Sequence, residues 1–308
     1  MNDSNRISMH FSTRQAPTSE ALSAVFGPLP PQDDPCHGVL VHQWQGPKHR
    51  VSVWQISIGQ PAWASWLLYR AEPLAPQTAV TLLSPDGCWP QVLNETAIQT
   101  VLDQGVALTW FDRVGLAWDG PDAQRGGPLH SHWPEVPWSA TSVWAWGMSY
   151  SITALTQALP SLKFAVIGHS RGGKAAMVAA LSDPRIQALV SHNSGTGGVS
   201  HVQTAQAGAE SLADLAERFP HWLSPLMQDP QHRDLCVQNN WPAEGLHALA
   251  PRGLCILQAE DDLWANPTGT RAMFEQLQPA WQAASEPVQG WHCSLEQSGI
   301  QGAAHCRS

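Results

Sequence analysis

At 308 residues the chain exceeds the usual single-domain size, yet α/β folds built on one central sheet routinely run this long as one unit, so one large core is expected. A formal charge of −9, with 16 Lys and Arg and no basic cluster, argues against nucleic acid or an anionic membrane surface as partner. Six cysteines scattered without C-x-x-C spacing signal neither a zinc site nor a disulfide framework, and they read as reduced thiols.

The first ten residues, Met1 to His10, lack the apolar region of a signal peptide, and no later run approaches the roughly 18 apolar residues of a spanning helix. Read literally, the protein is cytoplasmic, or secreted if the true start lies elsewhere. Residues 1–35 are polar and rich in Pro, Ser and Asp, which predicts a loosely ordered arm ahead of a domain over 36–308. Sixteen tryptophans are a large excess. Indole stacks on the C–H faces of sugar rings, but it more often fills cores.

From residue 38 the pattern turns β-like. Gly38–Trp44, Arg50–Ile56 and Ala62–Tyr69 alternate or run apolar over strand lengths and read as antiparallel opening strands. Short apolar runs then alternate with helix-length segments: Ala79–Leu83, Val106–Trp110, Phe164–Ile167, Ala188–Val190 and Leu254–Leu257. Continuous apolar strands joined by helical crossovers imply a mostly parallel sheet covered on both faces, a three-layer α/β/α sandwich. The stretch from Gly115 to Pro137 is dense in Gly, Pro, Asp, His and Trp without a period, and it predicts a long surface loop near the site.

Gly168-His-Ser-Arg-Gly172 fits G-x-S-x-G, with an apolar strand before it and the Ala-rich segment Lys174–Leu181 after it. A sharp strand-to-helix turn would force Ser170 into strained backbone angles and leave no room for side chains at 168 and 172. The following helix N-terminus would aim N–H groups at a developing oxyanion. This is the nucleophile elbow of an α/β-hydrolase. A triad in this fold runs Ser, acid, His along the chain, and Glu260-Asp-Asp262, at the end of the apolar run 253–258, offers three acids.

The run Gly-His-Ser-Arg-Gly-Gly-Lys174 resembles the elbow of the glucuronoyl esterase family and of its bacterial acetylxylan-esterase-like relatives. Further landmarks follow the same order: Trp144-Ala-Trp-Gly147, Asn193-Ser-Gly-Thr-Gly-Gly198, Phe219-Pro-His-Trp222, Ala248-Leu-Ala-Pro-Arg252 and Glu260-Asp-Asp-Leu-Trp-Ala-Asn-Pro267. The resemblance covers about residues 60 to 290. It implies that Arg171 serves the oxyanion, that Lys174 and Trp264 bind the substrate, and that Asp262 is the acid, with Asp261 as the alternative. Fungal members carry the acid as a Glu after the strand that follows the elbow. Here that position is Asn193, whose amide cannot stabilise an imidazolium and reads instead as a turn residue.

Two histidines follow the acid, His292 and His305. Gly302-Ala-Ala-His305 resembles the approach to the family's histidine more closely, whereas spacing from Pro287-Val-Gln-Gly290 would place it near Gln301. The family continues with a further helix, whereas this chain stops three residues after His305. The expectation is a serine esterase with Ser170, Asp262 and His305 as triad, needing no metal or organic cofactor. Its substrate would be a glucuronoyl ester or O-acetyl group on a saccharide. The alternatives are a general small-ester carboxylesterase and a non-catalytic glycan- or partner-binding scaffold. Nothing in the sequence signals an oligomeric state.

Overall fold

The computed structural model describes residues 18–75, 79–120, 124–283 and 294–297. Three long strands open the sheet: β1 (Cys36–Gln45), β2 (His49–Ile58) and β3 (Ala64–Pro73), paired antiparallel in chain order. Then come β4 (Val80–Ser84), β5 (Ala107–Phe111), β6 (Lys163–His169), β7 (Ile186–His192), β8 (Gly253–Gln258) and β9 (Ser294–Gln297). The nine lie in the order β1-β2-β3-β5-β4-β6-β7-β8-β9. From β5 to β9 every pairing is parallel, so the carboxyl ends of β4 to β8 gather along one side of the sheet. In such sheets ligands bind outside those carboxyl ends.

The expected antiparallel opening and parallel body are both present, and the fold is the α/β-hydrolase sandwich. Its helices are α1 (Thr18–Phe26), α2 (Glu95–Asp103), α3 (Pro128–His132), α4 (Ala140–Ala158), α5 (Arg171–Ser182), α6 (Leu212–Arg218), α7 (Pro230–Gln238), α8 (Ala243–His247) and α9 (Pro267–Ala283). Small side chains on α5, Ala175, Ala176, Ala179 and Ala180, are all buried and let it lie close against the sheet. Helix α4 begins at Ser139, whose hydroxyl accepts from Ser142 N at 3.0 Å and so satisfies one free N–H of the first turn.

Within the arm expected to be loose over residues 1–35, Thr18–Phe26 forms helix α1. Leu22, Val25 and Phe26 of α1 are buried in the main core, and the Phe26 ring meets Trp241 edge-on at 5.7 Å. The segment that follows is stitched to α4 by residues spaced four apart. Ser142 Oγ donates to Phe26 O (2.9 Å), Trp146 Nε1 to Pro31 O (2.9 Å) and Tyr150 OH to Asp34 O (3.2 Å). Composition missed this because Leu22, Val25 and Phe26 point inward, and the α4 partners of Phe26, Pro31 and Asp34 lie more than a hundred residues away.

The stretch 115–137 likewise is not simply a surface loop. Leu116, Ala117 and Leu129 are fully buried, and Trp144 Nε1 donates to Ala117 O at 3.0 Å, so the segment is pinned at several points beside the sheet. Among the described residues no helix is long and apolar enough to cross a membrane. Cys36, Cys88 and Cys236 are free thiols.

Candidate active site

Ser170 stands between β6 and α5 with φ 52° and ψ −119°, a conformation that L-residues adopt only under constraint. The constraint is visible in its neighbours. A Cβ added at Gly168 would lie 2.1 Å from the carbonyl oxygen of Gly172, and one at Gly172 would lie 2.0 Å from Asp86 Oδ1. Only glycine fits at either place, as the elbow pattern requires. Ser170 N donates to His192 O at 2.9 Å, which ties the turn to the end of β7.

Arg171 opens α5, where the first backbone N–H groups lack intrahelical acceptors. Its guanidinium lies over the Trp222 ring (4.3 Å) and near the Phe219 ring (5.5 Å), two rings that themselves stack at 3.9 Å. Its Nη1 donates to Asp119 Oδ2 at 3.1 Å. Asp119 also receives Trp222 Nε1 (2.8 Å), His221 Nε2 (3.4 Å) and Arg113 Nη2 (3.5 Å). Burial alone would raise the Asp119 carboxyl, but the His221 hydrogen bond and the charges of Arg171 and Arg113 outweigh it and hold the group well below the usual range.

Arg113 reaches further inward and donates to Asp86 Oδ1 at 2.6 Å. Asp86 is fully buried beneath the elbow, and its other oxygen accepts from His169 N at 2.8 Å. Desolvation pushes Asp86 upward against the pull of Arg113. A row of alternating charges, Asp86, Arg113, Asp119 and Arg171, thus runs from the base of the elbow to the residue beside Ser170. Arg113 also lies over the Trp144 ring at 5.0 Å, which places the Trp-Ala-Trp-Gly segment in this supporting layer.

Behind Ser170 two imidazoles meet, His169 Nδ1 lying 3.1 Å from His192 Nδ1. Burial and the neighbouring His192 push His169 down to about 3, and burial lowers His192 as well, so both rings are neutral at physiological pH.

Lys174 is not a surface charge on the first turn of α5. It is buried, its Nζ donates to Ser194 O at 2.6 Å, and Glu210 Oε2 lies 3.6 Å away. Desolvation lowers Lys174 and raises Glu210, each partly restored by the other's charge. Trp264 also hydrogen-bonds Glu210, and its ring lies 4.8 Å beneath the Arg218 guanidinium. Lys174 and Trp264 therefore converge on one buried acid, Glu210, which sequence reasoning did not single out.

The three acids after β8 have different surroundings. Glu260 is exposed and pairs with Arg271 at 2.8 Å, and Asp261 is exposed. Asp262 is half-buried and caps the short turn Leu263–Ala265, and its charge bears on both His192 and Lys174. Asn193 adopts φ 44°, donates its N–H to Leu257 O (2.9 Å) and accepts from Ala259 N at Oδ1 (2.8 Å), so it joins the ends of β7 and β8. His305 and His292, the two candidates for the third triad member, lie outside the described residues. Among the described residues no group of three or more side chains is placed to hold a metal ion.

Asp86, Arg113, Asp119, Glu210 and His221 were not singled out from the sequence. Two weak signals pointed near them: Asp119 falls in the irregular segment expected near the site, and His221 falls inside the Phe-Pro-His-Trp landmark. Asp86 sits in Ser84-Pro-Asp-Gly87, which on its own reads as an ordinary turn.

A model of fungal glucuronyl esterases matches residues 74–285. The chain is 27% identical over 241 residues to 4-O-methyl-glucuronoyl methylesterase 1 of Sodiomyces alcalophilus, an alignment covering 70% of this chain and 47% of that protein. It is 23% identical over 247 residues to the 4-O-methyl-glucuronoyl methylesterase of Cerrena unicolor, covering 72% and 48%. The chain spans about half the length of these relatives. Among solved structures, the glucuronoyl esterase from Solibacter usitatus superposes with a TM-score of 0.70 at 22% identity, over 86% of this chain and 79% of that one, and shares the fold.

Proposed function

This chain belongs to the glucuronyl esterase family, and from that membership and the geometry of the elbow we propose that it is a serine esterase cleaving the glucuronoyl ester of a saccharide. The observation that carries the reading is the constrained Ser170 at the head of α5, beside an arginine that a buried carboxylate holds in place.

Ser170 Oγ attacks the ester carbonyl carbon while a histidine, read from the sequence as His305, takes the hydroxyl proton. The C–O double bond opens to a tetrahedral oxyanion, which the N–H of Arg171 and its guanidinium stabilise. The intermediate collapses, the ester's alcohol leaves with the proton from the histidine, and an acyl-Ser170 remains. Water, deprotonated by the same histidine, then releases the sugar acid and restores Ser170. Asp262 orients the imidazole and stabilises the imidazolium formed in both halves. Lys174, Glu210 and Trp264 form a polar and aromatic wall suited to sugar hydroxyls and to a ring face.

The test compares turnover of a methyl glucuronate ester by the unmodified protein and by Ser170→Ala. The expected loss in kcat is at least about 10³-fold with the melting temperature unchanged, since only Oγ is removed and triad members act as a unit. Equal rates in the two proteins would refute the enzyme reading. Faster turnover of an acetylated sugar than of the glucuronate ester would move the substrate assignment to the O-acetyl group.

A further inference from the structure

A line of three side chains crosses the carboxyl edge of the sheet next to Ser170. Strands β6, β7 and β8 are neighbours in that order, His169 ends β6, His192 ends β7 directly opposite it, and Asp262 lies in the turn beyond β8. His192 therefore has the His169 ring on its β6 side and the charge of Asp262 on its β8 side.

The ring contact restricts where protons can sit. Nδ1 of His169 and Nδ1 of His192 are 3.1 Å apart, a hydrogen-bond distance, so one nitrogen carries a proton and the other is bare. Two bare nitrogens would set lone pair against lone pair, and two N–H groups would set proton against proton. Burial keeps both rings neutral, and at His169 the charges of Arg113 and Arg171 act in the same direction. Each ring then has a single proton to place. The negative charge of Asp262 draws the His192 proton to Nε2, the nitrogen turned away from His169, and leaves Nδ1 bare. The shared proton accordingly belongs to His169 Nδ1.

The same two residues hold the elbow through their backbones. His192 O accepts from Ser170 N at 2.9 Å, and His169 N donates to Asp86 Oδ2 at 2.8 Å. Trp89 closes the remaining side of the His169 ring, edge to face at 5.1 Å. The end of β6 is thus tied to β7 by a peptide and by a side chain, at the point where the chain enters the constrained φ of 52° at Ser170.

We propose that His192 is a positioning residue for the hydrolysis: its bare Nδ1, gripped by His169, fixes the angle at which the elbow presents Ser170 Oγ, and Asp262 selects the tautomer that allows the grip. The role rests on the esterase reading of Ser170.

Two variants and one spectrum test it. His192→Asn sets an amide oxygen near the place of Nδ1, so it keeps an acceptor for His169 and cannot titrate, whereas His192→Leu fills the space without one. On a methyl glucuronate ester at neutral pH, His192→Leu is expected to lower kcat at least about tenfold with KM within about twofold and no fall in melting temperature. His192→Asn should bring kcat back to within about threefold of the unmodified protein. Nuclear magnetic resonance of isotopically labelled histidine should show His169 protonated at Nδ1 and His192 at Nε2, and Asp262→Asn should mix the two tautomers. An unchanged kcat in His192→Leu, an equal loss in His192→Asn, both rings protonated at Nε2, or tautomers indifferent to Asp262→Asn would overturn the proposal. If His192→Leu fails to fold by circular dichroism, the spectrum of the unmodified protein and the rate of His192→Asn decide. Turnover by the unmodified protein no faster than by Ser170→Ala would instead remove the esterase reading, and the positioning role with it.

Discussion

Asp119 shows how one buried carboxylate can fix the residue beside Ser170. It gathers Arg171, Arg113, His221 and Trp222 around one carboxylate, so the arginine beside Ser170 has its position fixed before substrate arrives. Preorganisation of this kind is what makes a cation effective against a developing oxyanion. Asp119→Asn keeps an acceptor and the shape but removes the charge. It is expected to lower kcat about tenfold or more with little change in KM, measured on a neutral glucuronate ester, because the loss falls on the transition state. A change confined to KM would show that Asp119 serves ground-state binding instead. The acids after β8 separate in the same way. Asp262→Asn should cost about 10³–10⁴-fold in kcat, by analogy with neutralising the acid of a serine triad. Asp261→Asn, a change at an exposed carboxylate, should leave kcat within about twofold. Equal losses would remove Asp262 from the triad.

Strands β6 and β7 carry the site because their parallel register sets His169 opposite His192, one residue before Ser170 and Asn193 respectively. The folded state holds His169 at about 3, below the ordinary histidine value of 6.5. Between those values the unfolded chain binds more protons than the folded one, so stability is full above about pH 6.5 and is lost as pH falls toward 3. Melting temperatures should therefore drop on going from pH 7 to pH 4, and His169→Asn should flatten that drop. An unchanged slope would mean that other groups carry the acid sensitivity. At this scale much was legible in the sequence. Apolar runs marked β4 to β8, and the glycines at 168 and 172 marked the turn between β6 and α5, because both are local consequences of burial and sterics. The charge row was not legible. Asp86 lies in the loop after β4, whereas Arg113 and Asp119 lie in the connection after β5, and only the pairing of those two strands brings them together.

For the molecule as a whole, the same distinction between local and distant determinants explains the N-terminal arm, whose polar composition hid the docking of α1 and of Pro31 and Asp34 along α4. It also explains why the enclosure of Lys174 was not legible in sequence: its partner Glu210 arrives from beyond β7. The buried row from Asp86 to Arg171 has one further consequence, for the ionic conditions in which the protein works. Mobile ions weaken interactions between exposed charges over a distance of about 10 Å at 0.1 M salt, but they cannot enter a space already filled by Trp144, Trp222 and the sheet. Three of the four groups have side chains no more than 6% exposed, and only Arg171, at 27%, meets solvent. Raising sodium chloride from about 0.05 to 0.5 M should therefore change kcat on an uncharged ester by less than about twofold. A steep decline would mean that brine reaches the arginine's anchor, whereas a flat profile would make the hydrolysis indifferent to salinity even though the surface of the protein is strongly acidic.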